Sequence, residues 1–138
     1  MAFKFSALSL RRLEGVNPKL RAVVERALQI SPVDFMVAEG LRTIERQREL
    51  YAQGRTKPGK KVTWTLHSKH IEGTAVDLVP VINGKADWET LAHFNTLAKA
   101  VMQAAKELGV KVRWGADWDM DGIPREEGEH DSPHFELA

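Results

Sequence analysis

Between Pro18 and Ile30 the apolar residues Leu20, Val23, Val24, Ala27 and Leu28 recur at three- and four-residue spacing, with Arg21, Glu25 and Arg26 in between. That period predicts an amphipathic helix with one face on a core, started by Asn17 as its cap and Pro18 at its first position. Ser31-Pro32 stops it. The same period over Leu91, Phe94, Leu97, Ala98, Val101, Met102, Ala105 and Leu108 predicts a longer helix from Trp88 to Leu108, capped by Asp87 and closed by Gly109. Shorter helices are expected over Ser6–Leu13, ended by Gly15, and over Ile44–Gln53, capped by Thr43 and ended by Gly54. Strands are expected where β-branched and aromatic residues cluster, at Phe35–Ala38, Ala75–Ile82 and Val110–Trp114. Near the C-terminus a two-residue period puts Phe135 and Leu137 toward a core and His134 and Glu136 on the other side. Asn83-Gly84 is a turn signal.

Composition narrows the class. A chain of 138 residues, 43% hydrophobic and 28% charged, has material for one domain over 1–138 and too little for a second core. A formal charge of +1 excludes a strong global field, so partners have to be read from local features. No cysteine is present, which excludes disulfides, thiol nucleophiles and thiolate metal sites. Met1 to Arg12 lacks the apolar core and cleavage site of a secretory signal, and no stretch is long enough to span a bilayer. The expectation is synthesis in the cytoplasm, without membrane insertion.

One position does not fit its surroundings. Asp77 interrupts the apolar run Ala75-Val76-Asp77-Leu78-Val79-Pro80-Val81-Ile82, where an uncompensated carboxylate would cost several kcal/mol. A cation is the simplest compensation. His70 lies seven positions earlier, and Gly73 between them permits a tight turn that brings imidazole and carboxylate together. A second cluster, Asp131-Ser132-Pro133-His134-Phe135-Glu136-Leu137, supplies another histidine and a spare acid on a segment stiffened by Pro133. Two histidines, one carboxylate and a position left to water form a catalytic zinc pattern. Asp131, not itself a ligand, would exchange protons with the zinc-activated water during attack on an amide carbonyl. Arg42, at a strand-to-helix junction, would hold either the carbonyl oxygen as it gains charge or a substrate carboxylate. Ser68 and Glu136 are candidates for orienting the ligands. His67 and His130 compete as ligands, and any of these histidines taken singly also reads as a hydrogen-bonded surface residue. His93, within the long helix, reads as surface or packing. Asp117, Asp119 and Asp121, followed by Gly122, read either as the first half of a calcium loop or as a plain acidic turn, since the twelfth position is Gly128 and not a glutamate.

The pattern Ser68-x-His70-x-x-Gly73-x-Ala75-x-Asp77, with Asp131-x-x-His134 and Gly40-Leu41-Arg42-Thr43, resembles the zinc peptidases that include D-alanyl-D-alanine carboxypeptidases and dipeptidases. More closely, the whole chain is similar to single-domain bacteriophage endolysins acting as L-alanyl-D-glutamate peptidases. That likeness runs from Phe3-Lys4-Phe5 through Ile82-Asn83-Gly84-Lys85 and Gly115-Ala116-Asp117-Trp118 to the C-terminus. It implies an α+β fold, a small mainly antiparallel sheet packed with helices. It also implies zinc on His70, Asp77 and His134, with Asp131 as catalytic base. Asp131 stands where the carboxypeptidase branch has glutamate, which favours the endolysin branch. Some relatives bind calcium in the acidic loop, so Ca2+ is carried as a possible regulator.

The sequence therefore leads to a phage enzyme that cuts peptidoglycan stem peptides between L-alanine and D-glutamate. It would be a monomer without a separate wall-binding domain, held in the host cytoplasm until the membrane is opened. A D,D-peptidase and a catalytically silent zinc module are the alternatives. Nucleic-acid binding through Arg46, Arg48, Arg55, Lys57, Lys60 and Lys61 ranks last, because these residues lack interleaved aromatics.

Overall fold

In the computed structural model, which describes residues 3–40, 44–56, 73–117 and 132–138, a short helix α1 (Ala7–Arg12) is capped by the Ser6 hydroxyl, which accepts from the Ser9 N–H. Asn17 then accepts from the Lys19 N–H at 2.9 Å and Pro18 opens α2 (Pro18–Ile30), whose periodic stripe is buried throughout. Next come β1 (Phe35–Glu39), α3 (Ile44–Ala52), β2 (Ala75–Ile82) and the two-residue β3 (Lys85–Ala86). The chain ends with α4 (Leu91–Leu108), β4 (Val112–Trp114) and β5 (His134–Leu137).

Every strand pairing is antiparallel, in the order β1-β2-β5-β4, with β3 folded back on the far end of β2. The last strand thus inserts between β2 and β4. This insertion carries the C-terminal histidine against the strand that bears Asp77. Val76 and Leu78 of β2, Phe135 of β5 and Trp114 of β4 join Val37, Phe94, Leu97 and Val101 in one core with α2 and α4. Trp114 lies parallel to Phe135 at 6.2 Å. The free edge of β1 is covered by α1: Val37 donates its N–H to the Ser9 hydroxyl at 3.2 Å, and its carbonyl accepts from Arg12 at 3.0 Å. Backbone groups that could template another strand are thereby occupied. Among the described residues, no helix is long and apolar enough to cross a membrane.

The boundaries depart from the sequence reading by one residue at each end of α1 and at the end of α3, and at three further places, each of these for a local reason. The long helix starts at Leu91 instead of Trp88, because the Asp87 carboxylate accepts from the N–H groups of both Glu89 and Thr90 and folds 87–90 into its own turn. The strand expected from Val110 starts at Val112, since the Val110 N–H donates to the Ala105 carbonyl and closes α4. β1 runs one residue past Ala38 to Glu39, and loses register between Val37 and Glu39. Such irregularities re-aim the end of a strand.

Asp87 also contacts His93 Nδ1 at 3.0 Å. Hydrogen bonds from the Thr90 side chain, the Thr90 and Glu89 N–H groups and His93 hold its carboxyl below the usual carboxylate range. A depressed folded pKa contributes stability that is complete above the unfolded value of about 3.9 and fades as pH falls toward the folded one. Asp87→Asn should therefore be less stable than the native protein at pH 6, and urea unfolding at pH 3 should show the gap narrowed. Equal gaps at both pH values would remove the charge from this account.

Gly40 is required for space. A Cβ there would overlap the Arg12 carbonyl oxygen, a backbone atom of α1 that cannot swing aside. Gly40→Ala should cost about 3 kcal/mol, the upper end of overpacking penalties, measured as a shift in the urea midpoint.

Candidate metal centre

The two-residue alternation of strands decides which side chains share the sheet face opposite the core. Because Val76 and Leu78 point inward on β2, Asp77 lies on the other face; Phe135 does the same for His134 and Glu136 on β5. On β4, inward Val112 and Trp114 place Arg113 on that face too. Register then sets the neighbours, with Asp77 opposite His134 and Arg113 opposite Glu136.

His134 is the centre of this row. Its Nδ1 lies 3.4 Å from Asp77 Oδ1 and its Nε2 lies 2.9 Å from Glu136 Oε1. Both His134 and Glu136 are buried. An ionised carboxylate only accepts, so the tautomer that fits this geometry carries its proton on Nε2 and keeps the Nδ1 lone pair toward Asp77. Glu136, expected to orient a ligand, thus contacts His134. The strand that bears His134 is also pinned. Trp114 Nε1 donates to the Ser132 carbonyl at 2.6 Å, the Leu78 N–H donates to the Pro133 carbonyl at 2.9 Å, and the Gly115 N–H donates to the His134 carbonyl at 2.7 Å.

The donor set fits zinc. At bond lengths of about 2.0–2.1 Å, two corners of a tetrahedron lie about 3.3–3.4 Å apart. The 3.4 Å between Nδ1 and Oδ1 matches that edge and is longer than an ordinary hydrogen bond. One nitrogen and one carboxylate oxygen, with no thiolate in the chain, also suit a zinc site left open for catalysis. Just before β2, Gly73 takes the left-handed φ of 75° that the turn toward Asp77 requires, and its carbonyl accepts from the Asn17 N–H at 2.8 Å.

Other expected site residues fall outside the described residues: Arg42, Ser68, His70, Asp119, Asp121 and Asp131, with the rivals His67 and His130. Among the described residues no three His, Asp or Glu side chains converge as a metal site, and Asp77 and His134 are the two expected ligands available there. Arg42 falls between β1 and α3. Asp117 is described and bridges back to Trp114, its N–H donating to the Trp114 carbonyl at 3.0 Å. His93 is engaged with Asp87, away from this face, as the sequence reading expected. Arg113 was not anticipated. The signal was available in the alternation of Val112 and Trp114 around it, once Glu136 was placed on the same face.

A family model described as phage L-alanyl-D-glutamate peptidase matches residues 1–138. The L-alanyl-D-glutamate peptidase of Escherichia phage T5 is 43% identical over the full length of both chains. The peptidoglycan L-alanyl-D-glutamate endopeptidase CwlK of Bacillus subtilis is 34% identical over 76% of this chain and 61% of its own. Among solved structures, the L-Ala D-Glu endopeptidase ChiX of Serratia marcescens superposes with a TM-score of 0.80 at 38% identity, covering 99% of this chain and 91% of that one. The vancomycin-resistance D,D-dipeptidase VanXYg, at 19% identity and a TM-score of 0.50 over 86% of this chain and 47% of its own, shares the fold. With its antiparallel sheet, its helices and its full-length match, the chain belongs to the phage L-alanyl-D-glutamate peptidase family.

Proposed function

We propose that this phage endolysin hydrolyses the L-alanyl-D-glutamate amide of peptidoglycan stem peptides at a zinc ion held by His70, Asp77 and His134. The observation that carries the metal reading is the pairing of Asp77 with His134 at ligand spacing, with the far side of the imidazole held by Glu136. Zinc, when bound there, would supply Lewis acidity that lowers the pKa of water to about 7. Asp131 takes the proton of the attacking water and returns it to the departing nitrogen of D-glutamate as the C–N bond breaks. Arg42 offers a guanidinium to the carbonyl oxygen or to a substrate carboxylate, and Ser68 a hydroxyl. The enzyme acts on the wall after the membrane is opened. A calcium ion at Asp117, Asp119 and Asp121 is a separate proposal, read by whether calcium changes the rate of zinc-loaded enzyme.

The test is mass analysis of digested peptidoglycan, using native enzyme, chelated enzyme and chelated enzyme resupplied with zinc. New D-glutamate amino ends, lost on chelation and restored by zinc, are expected. Release of D-alanine would instead indicate a D,D-peptidase, and unchanged stem peptides would leave only a binding module.

A further inference from the structure

Glu136 reaches two partners across the sheet face. Its carboxylate is buried, and one oxygen is used on His134 Nε2 at 2.9 Å. The other oxygen, Oε2, faces β4. The guanidinium of Arg113 lies on the opposite side, Nη1 at 3.9 Å from Glu136 Oε2, delivered by the direct cross-strand pairing of β4 with β5. Its Nε is buried and has no hydrogen-bond partner among the described residues, so the side chain does not reach wholly into solvent. The neighbouring residues Val112 and Trp114 serve the core, which leaves Arg113 as the β4 side chain on this face.

We infer that Arg113 is a positioning residue of the metal centre, acting through Glu136 on His134. It aims Glu136 through the ion pair across β4 and β5, and Glu136 in turn holds the His134 ring with Nδ1 toward Asp77. The relay rests on the zinc reading above and adds to it a residue that touches neither metal nor substrate. Outer partners of histidine ligands contribute about 10–100-fold to metal affinity. Arg113→Ala should weaken zinc binding about tenfold, toward the lower end of that range because it acts one contact further out. Arg113→Lys, which keeps the charge, should recover most of the loss.

The experiment is competition of apo-protein with a chromogenic chelator for zinc, on native protein, R113A, R113K, E136Q and the double variant R113A/E136Q, with the melting temperature of each apo-protein measured alongside. In E136Q the carboxylate is gone, so adding R113A should change zinc affinity little, a non-additivity that a pair acting in series must show. A merely structural arginine would lower the melting temperature in both backgrounds and leave zinc affinity alone. Zinc affinity of R113A within about twofold of native, or an equal loss in both backgrounds, overturns the inference. Should R113A not fold, R113K and E136Q carry the comparison, and native-like zinc affinity in E136Q overturns it. Native protein that binds no zinc would defeat the metal reading itself, a result distinct from variants that bind as well as native.

Discussion

Asp77→Ala should leave a folded protein that neither retains zinc nor cuts peptidoglycan. The fold survives because β2 is held by Val76, Leu78 and Val79, all fully buried, and by antiparallel pairing on both sides. Loss of the carboxylate removes one of the two proposed ligands that lie among the described residues, the one facing His134 Nδ1. Because losing an outer partner already costs about 10–100-fold in metal affinity, losing a ligand should cost more than about 100-fold. Metal content after gel filtration, together with a urea unfolding curve, separates the two effects. A variant with full zinc occupancy would mean that Asp77 is compensated by something other than a metal.

Asp131→Ala should have the complementary phenotype, with zinc retained and the rate reduced at least about a hundredfold. The residues that follow it are fixed by Trp114 Nε1 on the Ser132 carbonyl and by the Leu78 N–H on the Pro133 carbonyl. Steady-state digestion rates and metal content of one preparation decide the matter. Zinc lost together with activity would make Asp131 a ligand, and activity kept would remove it from the chemistry.

Much of this was legible in the sequence because the informative residues act locally. Asn17-Pro18 determines a helix start by its own geometry, and the stripe from Leu20 to Leu28 determines which side of that helix is buried. Asp77 was conspicuous because its neighbours are apolar, and the alternation around Phe135 correctly placed His134 and Glu136 together. What could not be read depends on pairing between distant strands. Insertion of β5 between β2 and β4 is a property of the sheet order, and it alone sets Asp77 opposite His134 and Arg113 opposite Glu136. The missed starts at Leu91 and Val112 have the same character, because Asp87 and Val110 direct their hydrogen bonds to turns that periodicity does not register. The family resemblance supplied a choice between His70 and its rivals His67 and His130 that spacing left open, and all three lie outside the described residues.

The most direct test of the zinc assignment is anomalous diffraction at the zinc edge from crystals of the zinc-loaded protein. A single strong peak within about 2.0–2.2 Å of His134 Nδ1, a carboxylate oxygen of Asp77 and a ring nitrogen of His70 is the expected result. A peak elsewhere, or a His70 ring too far from His134 to share an ion with it, would contradict it.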